Sequence, residues 1–286
     1  MKVLKWILIP LLVIIVLAGG VVLGGHIYIK NEYGINIFST LKQFRTLSQP
    51  VNETELITNG FSDDDMVDVQ ELVNASVTDM ITYDEEMGYV INFGDLEESM
   101  KAEIKLSDKQ VGALAHTVIE QEFSGNVALG DKTLGVELKQ IDFIKTDDGK
   151  DLLNSIIKID LSPMLEEIPD KFPLTWLKSK IPTALYVSST VEVVKGEQAL
   201  SYFVSHSAIT INNLSSADTE DMLDTLDKLI SFGTAKEFNE TIGMAIMDAM
   251  VGTEEHHGRV YSLSTAGASD FHFENLDGID YFLISK

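Results

Sequence analysis

The sequence predicts an α+β protein: a single N-terminal transmembrane helix followed by a twisted, mainly antiparallel sheet packed with three or four amphipathic helices. Three observations predict it. Residues 6–29 (WILIPLLVIIVLAGGVVLGGHIYI) contain no charged side chain. Beyond them, apolar residues recur at helical spacing in several segments. Between residues 133 and 213 the period changes to two, and glycine and aspartate turns separate the runs.

At about 1.5 Å per residue, the apolar part of 6–29 is long enough to cross a hydrocarbon core of about 30 Å. It exceeds the apolar core of a secretory signal peptide, so a retained anchor is expected, with cleavage near Ala18, Gly19 and Gly20 as the alternative. The chain has no cysteine, which excludes a lipidated cysteine and any disulfide. Lys2 and Lys5 precede the span while Lys30, Lys42 and Arg45 follow it, so basic residues alone do not orient it. Residues 51–103 carry 15 acidic side chains against one basic, Lys101. An anionic inner leaflet repels so negative a surface, which places the bulk of the chain outside the cytoplasm. The expected organisation is a cytoplasmic N-terminus (1–5), the anchor (6–29), a juxtamembrane connector (30–65) and an extracytoplasmic α+β domain (66–286). Gly20 and Gly24 form a GxxxG pair suited to a homodimer of anchors, although small residues are common in any span.

Within the connector, Phe38, Leu41 and Phe44 lie on one face of a short amphipathic helix, either resting on lipid with Lys42 and Arg45 at the head groups or leading into the fold. Residues 50–65 read as a loop ending in Asp63, Asp64 and Asp65, which follow Ser62 and favour a helix start, the helix running over 66–78. The ligand spacing of a calcium-binding loop is absent. The stretch KAEIKLSDKQVGALAHTVIEQE alternates as a strand over 102–106, then offers a capping box at Ser107 and Gln110. Val111, Leu114, Ala115, Val118 and Ile119 give the stripe of a helix buried on one face, and His116 lies off that stripe, towards solvent. Strands follow at 134–144, 152–161, 184–195 and 200–211, with turns at 147–150 and Gly196, and imply one large antiparallel sheet.

Between the second and third of these strands, SPMLEEIPDKFPLTWLKSKIP holds four of the six prolines and reads as a loop. Its Phe172, Leu174, Trp176, Leu177 and Ile181 stand beside Lys171, Lys178 and Lys180, a mixture suited to a membrane interface or the lip of an apolar pocket, and equally to covering the end of a core. Two helices follow, over 214–232 with Met222, Leu223 and Leu226 inward, and after the capping box of Thr234 and Glu237 with Phe238, Ile242 and Ile246 inward. Residues 259–286 read as two or three strands with a turn at Asp277 and Gly278.

The net charge of −24 argues against nucleic acid as a partner. GNVALGDKT approximates a phosphate-binding loop, but Asp131 would face the phosphates. Neither a GxSxG elbow nor an HExxH helix occurs, and the SxxK of Ser39 and Lys42 lacks its companion motifs. His256 and His257, beside Glu254 and Glu255 and with His272 elsewhere, are metal-type side chains, yet adjacent histidines splay apart. No catalytic residue, metal site or cofactor is expected, and the chain is not expected to be an enzyme.

In layout the chain resembles the YpmS-like group of uncharacterised, membrane-anchored extracytoplasmic proteins of Gram-positive bacteria. The resemblance lies in the N-terminal anchor, IKLSDKQVGALAHTVI, IIKIDLSPMLEEIP and IPTALYVSSTVEVV, and covers residues 100–213. It implies a long helix packed in a curved sheet that shelters lipid; the helices after residue 214 depart from it, and it carries over no functional residue. The expected function is a non-enzymatic interaction or scaffold module of the cell envelope, tied to the lipid bilayer by its N-terminal helix and meeting a partner protein through the acidic segment 51–103. The alternative is a carrier of a lipid or other hydrophobic ligand, held against Val111, Leu114, Val118 and Ile119. A more remote alternative, an extracytoplasmic hydrolase, rests on scattered Ser, His and Asp residues.

Overall fold

The computed structural model describes residues 42–43, 45–92, 100–123, 126–129, 132–162, 182–230, 234–251, 263–264 and 266–286. In chain order these form α1 (Glu53–Leu56), α2 (Asp63–Ser76), β1 (Ile81–Asp84), β2 (Gly88–Ile91), β3 (Ile104–Ser107), α3 (Asp108–Phe123), β4 (Asn126–Leu129), β5 (Lys132–Lys145), β6 (Asp151–Asp160), β7 (Ala184–Lys195), β8 (Tyr202–Ile211), α4 (Ser216–Ile230), α5 (Ala235–Met250), β9 (Asp270–Leu276) and β10 (Ile279–Ser285). The fold is α+β, with every strand pair antiparallel. Among the described residues no helix is long and apolar enough to cross a membrane; residues 6–29, with Gly20 and Gly24, lie outside them.

The strands β4 to β8 form a five-stranded meander. Its pleat sorts residues by face. On the inner face, Phe143 pairs with Leu153, Leu153 with Val191 and Val191 with His206; the next row runs Ile141, Ser155, Ser189, Ile209. The apolar members of these rows are almost wholly buried. The helices α3 and α5 pack on this sheet, and α2 packs on α3. Gly243 permits the approach of α5, since a Cβ there would lie 2.6 Å from Val191 Cγ2.

A register shift between Thr190 and Val191 interrupts the ladder of β7 and β8. The Thr190 carbonyl is taken up by Asn239 Nδ2 of α5 at 2.8 Å, which explains a fully buried asparagine on an apolar helix face. The outer edge of β8 is also served by helix side chains: His206 N donates to Glu240 Oε1 at 3.1 Å and Ile211 N to Thr219 Oγ1 at 3.2 Å. An edge with its donors so occupied is a poor template for a further strand.

The four long strands expected to form one large antiparallel sheet do so, as β5 to β8, but that sheet does not take in the remaining strands: β10 lies between β3 and β9 in a three-stranded sheet, and β1 and β2 make a separate hairpin. The two larger sheets meet through aromatic rings. Phe143 lies 4.5 Å from Phe273 and 5.5 Å from Phe282, and Phe271 lies 5.7 Å from Phe282, measured between ring centroids. All four are 4% exposed or less, and burying each contributes roughly 1.5–3 kcal/mol.

The loop expected over 50–65 contains one helical turn, α1, and is docked: with the residues just before it, it forms a strap, 47–60, attached to the five-stranded sheet. Leu47 is 1% exposed and its carbonyl accepts from Asn212 Nδ2 at 2.9 Å. Lys158 Nζ lies 3.1 Å from Glu53 Oε1, to which the Tyr186 hydroxyl also donates. Thr58 N and Asn59 N both donate to Gln140 Oε1, at 2.9 and 3.1 Å. Gln140 is only 3% exposed, so these two donors satisfy a buried amide that the strand pattern alone would leave unpaired.

The helix α2 begins at Asp63, three residues before its expected start, because Ser62 is its N-cap: the Asp65 carboxylate accepts from Ser62 N at 2.8 Å and from Ser62 Oγ at 2.9 Å. Of the capping box expected at Ser107, the glutamine arm is present, with Ser107 N donating to Gln110 Oε1 at 2.9 Å. GNVALGDKT contributes β4 and the start of β5, paired from Leu129 and Lys132 onward, so it is a hairpin.

Candidate functional site

Two clefts flank the pair of helices α2 and α3. The first is built by the β1–β2 hairpin, which the strand assignment from sequence missed. Asn74 of α2 brackets Ile81, its Nδ2 donating to the Ile81 carbonyl at 2.7 Å and its Oδ1 accepting from Ile81 N at 2.9 Å. Gln121 of α3 does the same for Ile91, at 3.2 and 3.0 Å. At the tip, Asp84 Oδ1 accepts from Glu86 N and Met87 N at 2.8 and 2.9 Å, and Gly88 takes φ +76°. These turn bonds hold the Asp84 carboxyl below its ordinary range, that to Met87 N first.

The turn thrusts Met87 into solvent, 72% exposed, beside the T-shaped pair of Tyr83 and Tyr89, whose centroids lie 5.1 Å apart. Between hairpin, α2 and α3 lies a cleft of about 750 Å³ whose lining includes Phe61, Met66, Met87, Tyr89 and His116. The carboxylates of Asp63, Glu120 and Glu137 also line it, that of Glu137 paired with the Lys139 ammonium. The Phe61 ring lies over Gly112, where a Cβ would come within 2.4 Å of Phe61 Cδ1. His116 is not turned to solvent as expected: its ring packs 5.5 Å from Phe61, and Nε2 lies 3.3 Å from Glu120 Oε1.

The second cleft, of about 970 Å³, opens where β3 passes into α3, and Asp108, Asp142 and Asp280 line it with Asn59. Asp108 Oδ1 accepts from Phe143 N at 3.0 Å and Oδ2 from Asn59 Nδ2 at 3.4 Å. The same Asn59 nitrogen donates to Asp142 Oδ1 at 3.0 Å, and Asp142 Oδ2 accepts from Gln140 Nε2 and Asn154 Nδ2 at 2.5 and 3.2 Å. Burial pushes the Asp108 carboxyl up to about 7, Asp142 and Asp280 add to the rise, and the Phe143 N–H opposes it. Only position marks Asp108 in the sequence: it follows the N-cap Ser107.

Of the candidate apolar helix face, Val111 and Val118 are buried in the core, and Leu114 and Ile119 are half-buried against it. None of the four lines either cleft. The candidate lip, Phe172, Leu174, Trp176, Leu177 and Ile181, lies outside the described residues, as do Glu254, Glu255, His256 and His257. Among the described residues no group of three His, Asp or Glu side chains is placed to hold a metal ion. Compared with protein-family models, curated proteins and solved structures, the chain shows no significant match.

Proposed function

We propose that the chain is a non-enzymatic interaction module of the cell envelope, anchored by residues 6–29, and that the cleft beside the β1–β2 hairpin is its docking face. The observation that supports this is the coincidence of exposed apolar surface at Met87 with the carboxylates of Asp63 and Glu120 in the lining, that of Glu137 being ion-paired with Lys139. A partner segment with lysine or arginine flanking one large apolar side chain complements both features. Val111 and Val118 are taken up by core packing, which weighs against α3 as the wall of a lipid cavity.

The test places a photo-crosslinking residue at Met87, or at Phe203 as a control, in the full-length chain in its native membrane. Phe203 is 68% exposed on β8 and makes a control of matched exposure. The expected result is an adduct from position 87 alone, on a basic segment of one protein, lost at high salt and in Asp63→Asn/Glu120→Gln. An adduct on an acidic segment, one indifferent to those substitutions, or the same adduct from position 203 would overturn the proposal. Asp65 is left intact because it caps α2, so that loss of capture reports charge and not unfolding.

A further inference from the structure

The strap's distal clasp is one side-chain nitrogen. Asn59 Nδ2 donates to Asp142 Oδ1 at 3.0 Å and to Asp108 Oδ2 at 3.4 Å, so carboxyl groups from β5 and α3 converge on a single amide. Asn59 is also the one asparagine in the chain that a glycine follows. We propose that Asn59 is a deamidation site, that the closed clasp restrains the reaction, and that its product releases the strap irreversibly.

The chemistry needs only this dipeptide and water. The Gly60 backbone nitrogen attacks Asn59 Cγ: the N–Cγ bond forms, the Cγ–Nδ2 bond breaks, and Nδ2 leaves as ammonia with the proton lost from the Gly60 amide. Water then opens the cyclic imide at either carbonyl to give aspartate or isoaspartate, so one water is consumed and one ammonia released, with no change of oxidation state. Glycine has no Cβ to crowd the attack, and Gly60 N makes no hydrogen bond among the described residues. Asn59 is half-buried on the wall of the second cleft, which gives water access.

The closed clasp is the brake. Attack requires Asn59 Cγ to swing onto the Gly60 nitrogen, whereas the bonds to Asp142 and Asp108 fix the side chain, and those from Thr58 N and Asn59 N to Gln140 Oε1 fix the backbone. Conversion therefore follows the population of lifted strap. The product cannot remake the clasp. A donor between two carboxyl groups becomes a carboxyl facing both, with Asp280 at the same cleft. Of the two lysines there, Lys105 Nζ lies 4.1 Å from the Tyr281 ring centroid and Lys109 is exposed. At neutral pH the new group must either ionise among like charges or hold a proton against its ordinary preference, and leaving the site avoids both.

The test incubates the full-length chain in detergent micelles at mildly alkaline pH and follows position 59 by peptide mass mapping, beside a synthetic peptide of residues 54–63 as the unrestrained reference. Conversion in the protein should be at least about tenfold slower than in the peptide, and Gln140→Ala, which frees the strap amides but keeps both acceptors of Asn59 Nδ2, should fall between them. Release is read by glutamate-specific proteolysis at Glu55, an exposed residue of α1 between the attachments at Glu53 and Thr58. Asn59→Asp should be cut at least about tenfold faster than wild type, and faster than Asn59→Ala, which loses the same bonds without adding charge. Conversion in the protein as fast as in the peptide, a wild-type rate in Gln140→Ala, or equal cutting of Asn59→Asp and Asn59→Ala would overturn the proposal. Should Asn59→Asp not fold when expressed, aged wild-type protein, separated by its added charge, supplies the same comparison.

Discussion

The two faces of the five-stranded sheet are covered by different physics. On the inner face, Phe143, Ile141, Leu153 and Val191 meet helices and a second sheet through close-packed apolar contact. On the outer face, Asp142, Asn154 and Thr190 form a chain of side-chain hydrogen bonds across three strands: Asn154 Nδ2 donates to Asp142 at 3.2 Å, and Thr190 Oγ1 to Asn154 Oδ1 at 3.1 Å. The strap is bound to this face by polar contacts, at Gln140, Asp142, Lys158 and Tyr186. Non-directional burial tolerates changes of shape poorly but changes of pH well; a polar lattice has the opposite sensitivity.

Substitutions on the two faces should therefore differ in size and in kind. The largest effect is expected from Phe143→Ala, which empties the aromatic joint between the sheets and should cost about 3–5 kcal/mol in a urea titration, equally at acid and neutral pH. Gly243→Val, which drives a side chain into Val191, should cost about 1–3 kcal/mol by the same measurement. On the outer face, Gln140→Ala leaves Thr58 N and Asn59 N without their acceptor and should cost about 1–2 kcal/mol, visible chiefly as faster exchange of the strap.

The pH arm sharpens the contrast. The folded-state value of Asp108 lies above its unfolded one, so its contribution is complete below pH about 4 and is lost as pH rises through about 7. Wild-type urea midpoints should fall over that interval, and those of Asp108→Asn should not follow this component. Lys158→Ala should be the smallest change, under about 1 kcal/mol, because the ion pair with Glu53 is partly exposed to solvent.

The same division explains what could be read in the chain. Strand β7 follows from alternation, since Leu185, Val187, Ser189, Val191 and Val193 are inward, while Ser188, Thr190 and Glu192 on the other face are half-buried. The stripe of α3 was equally plain, as was the turn at Asp277 and Gly278, both with positive φ. The β1–β2 hairpin is hard to read because each of its strands is four residues long, too short for alternation to register, and the glycine turn between two tyrosines in ITYDEEMGYVI is the available signal. The strap could not have been found this way: Asn59 and Gln140 look like ordinary polar residues, and their meaning lies in contacts across some 80 positions of chain. The β8 edge illustrates the same limit, since Glu240 and Thr219 protect it from helices that follow it in sequence.

The crosswise run of the strap has a mechanical consequence. Strands in a ladder resist pulling along their length because many bonds share the load at once. A segment attached at Leu47, then at Glu53, then at Thr58 and Asn59 meets a pull from its N-terminal side one attachment after another, as tape is lifted from a surface. The 14 residues from Leu47 to Gly60, peeled away, extend to at most about 50 Å, so tension on the chain before Leu47 would lengthen this segment while the sheet beneath keeps its shape.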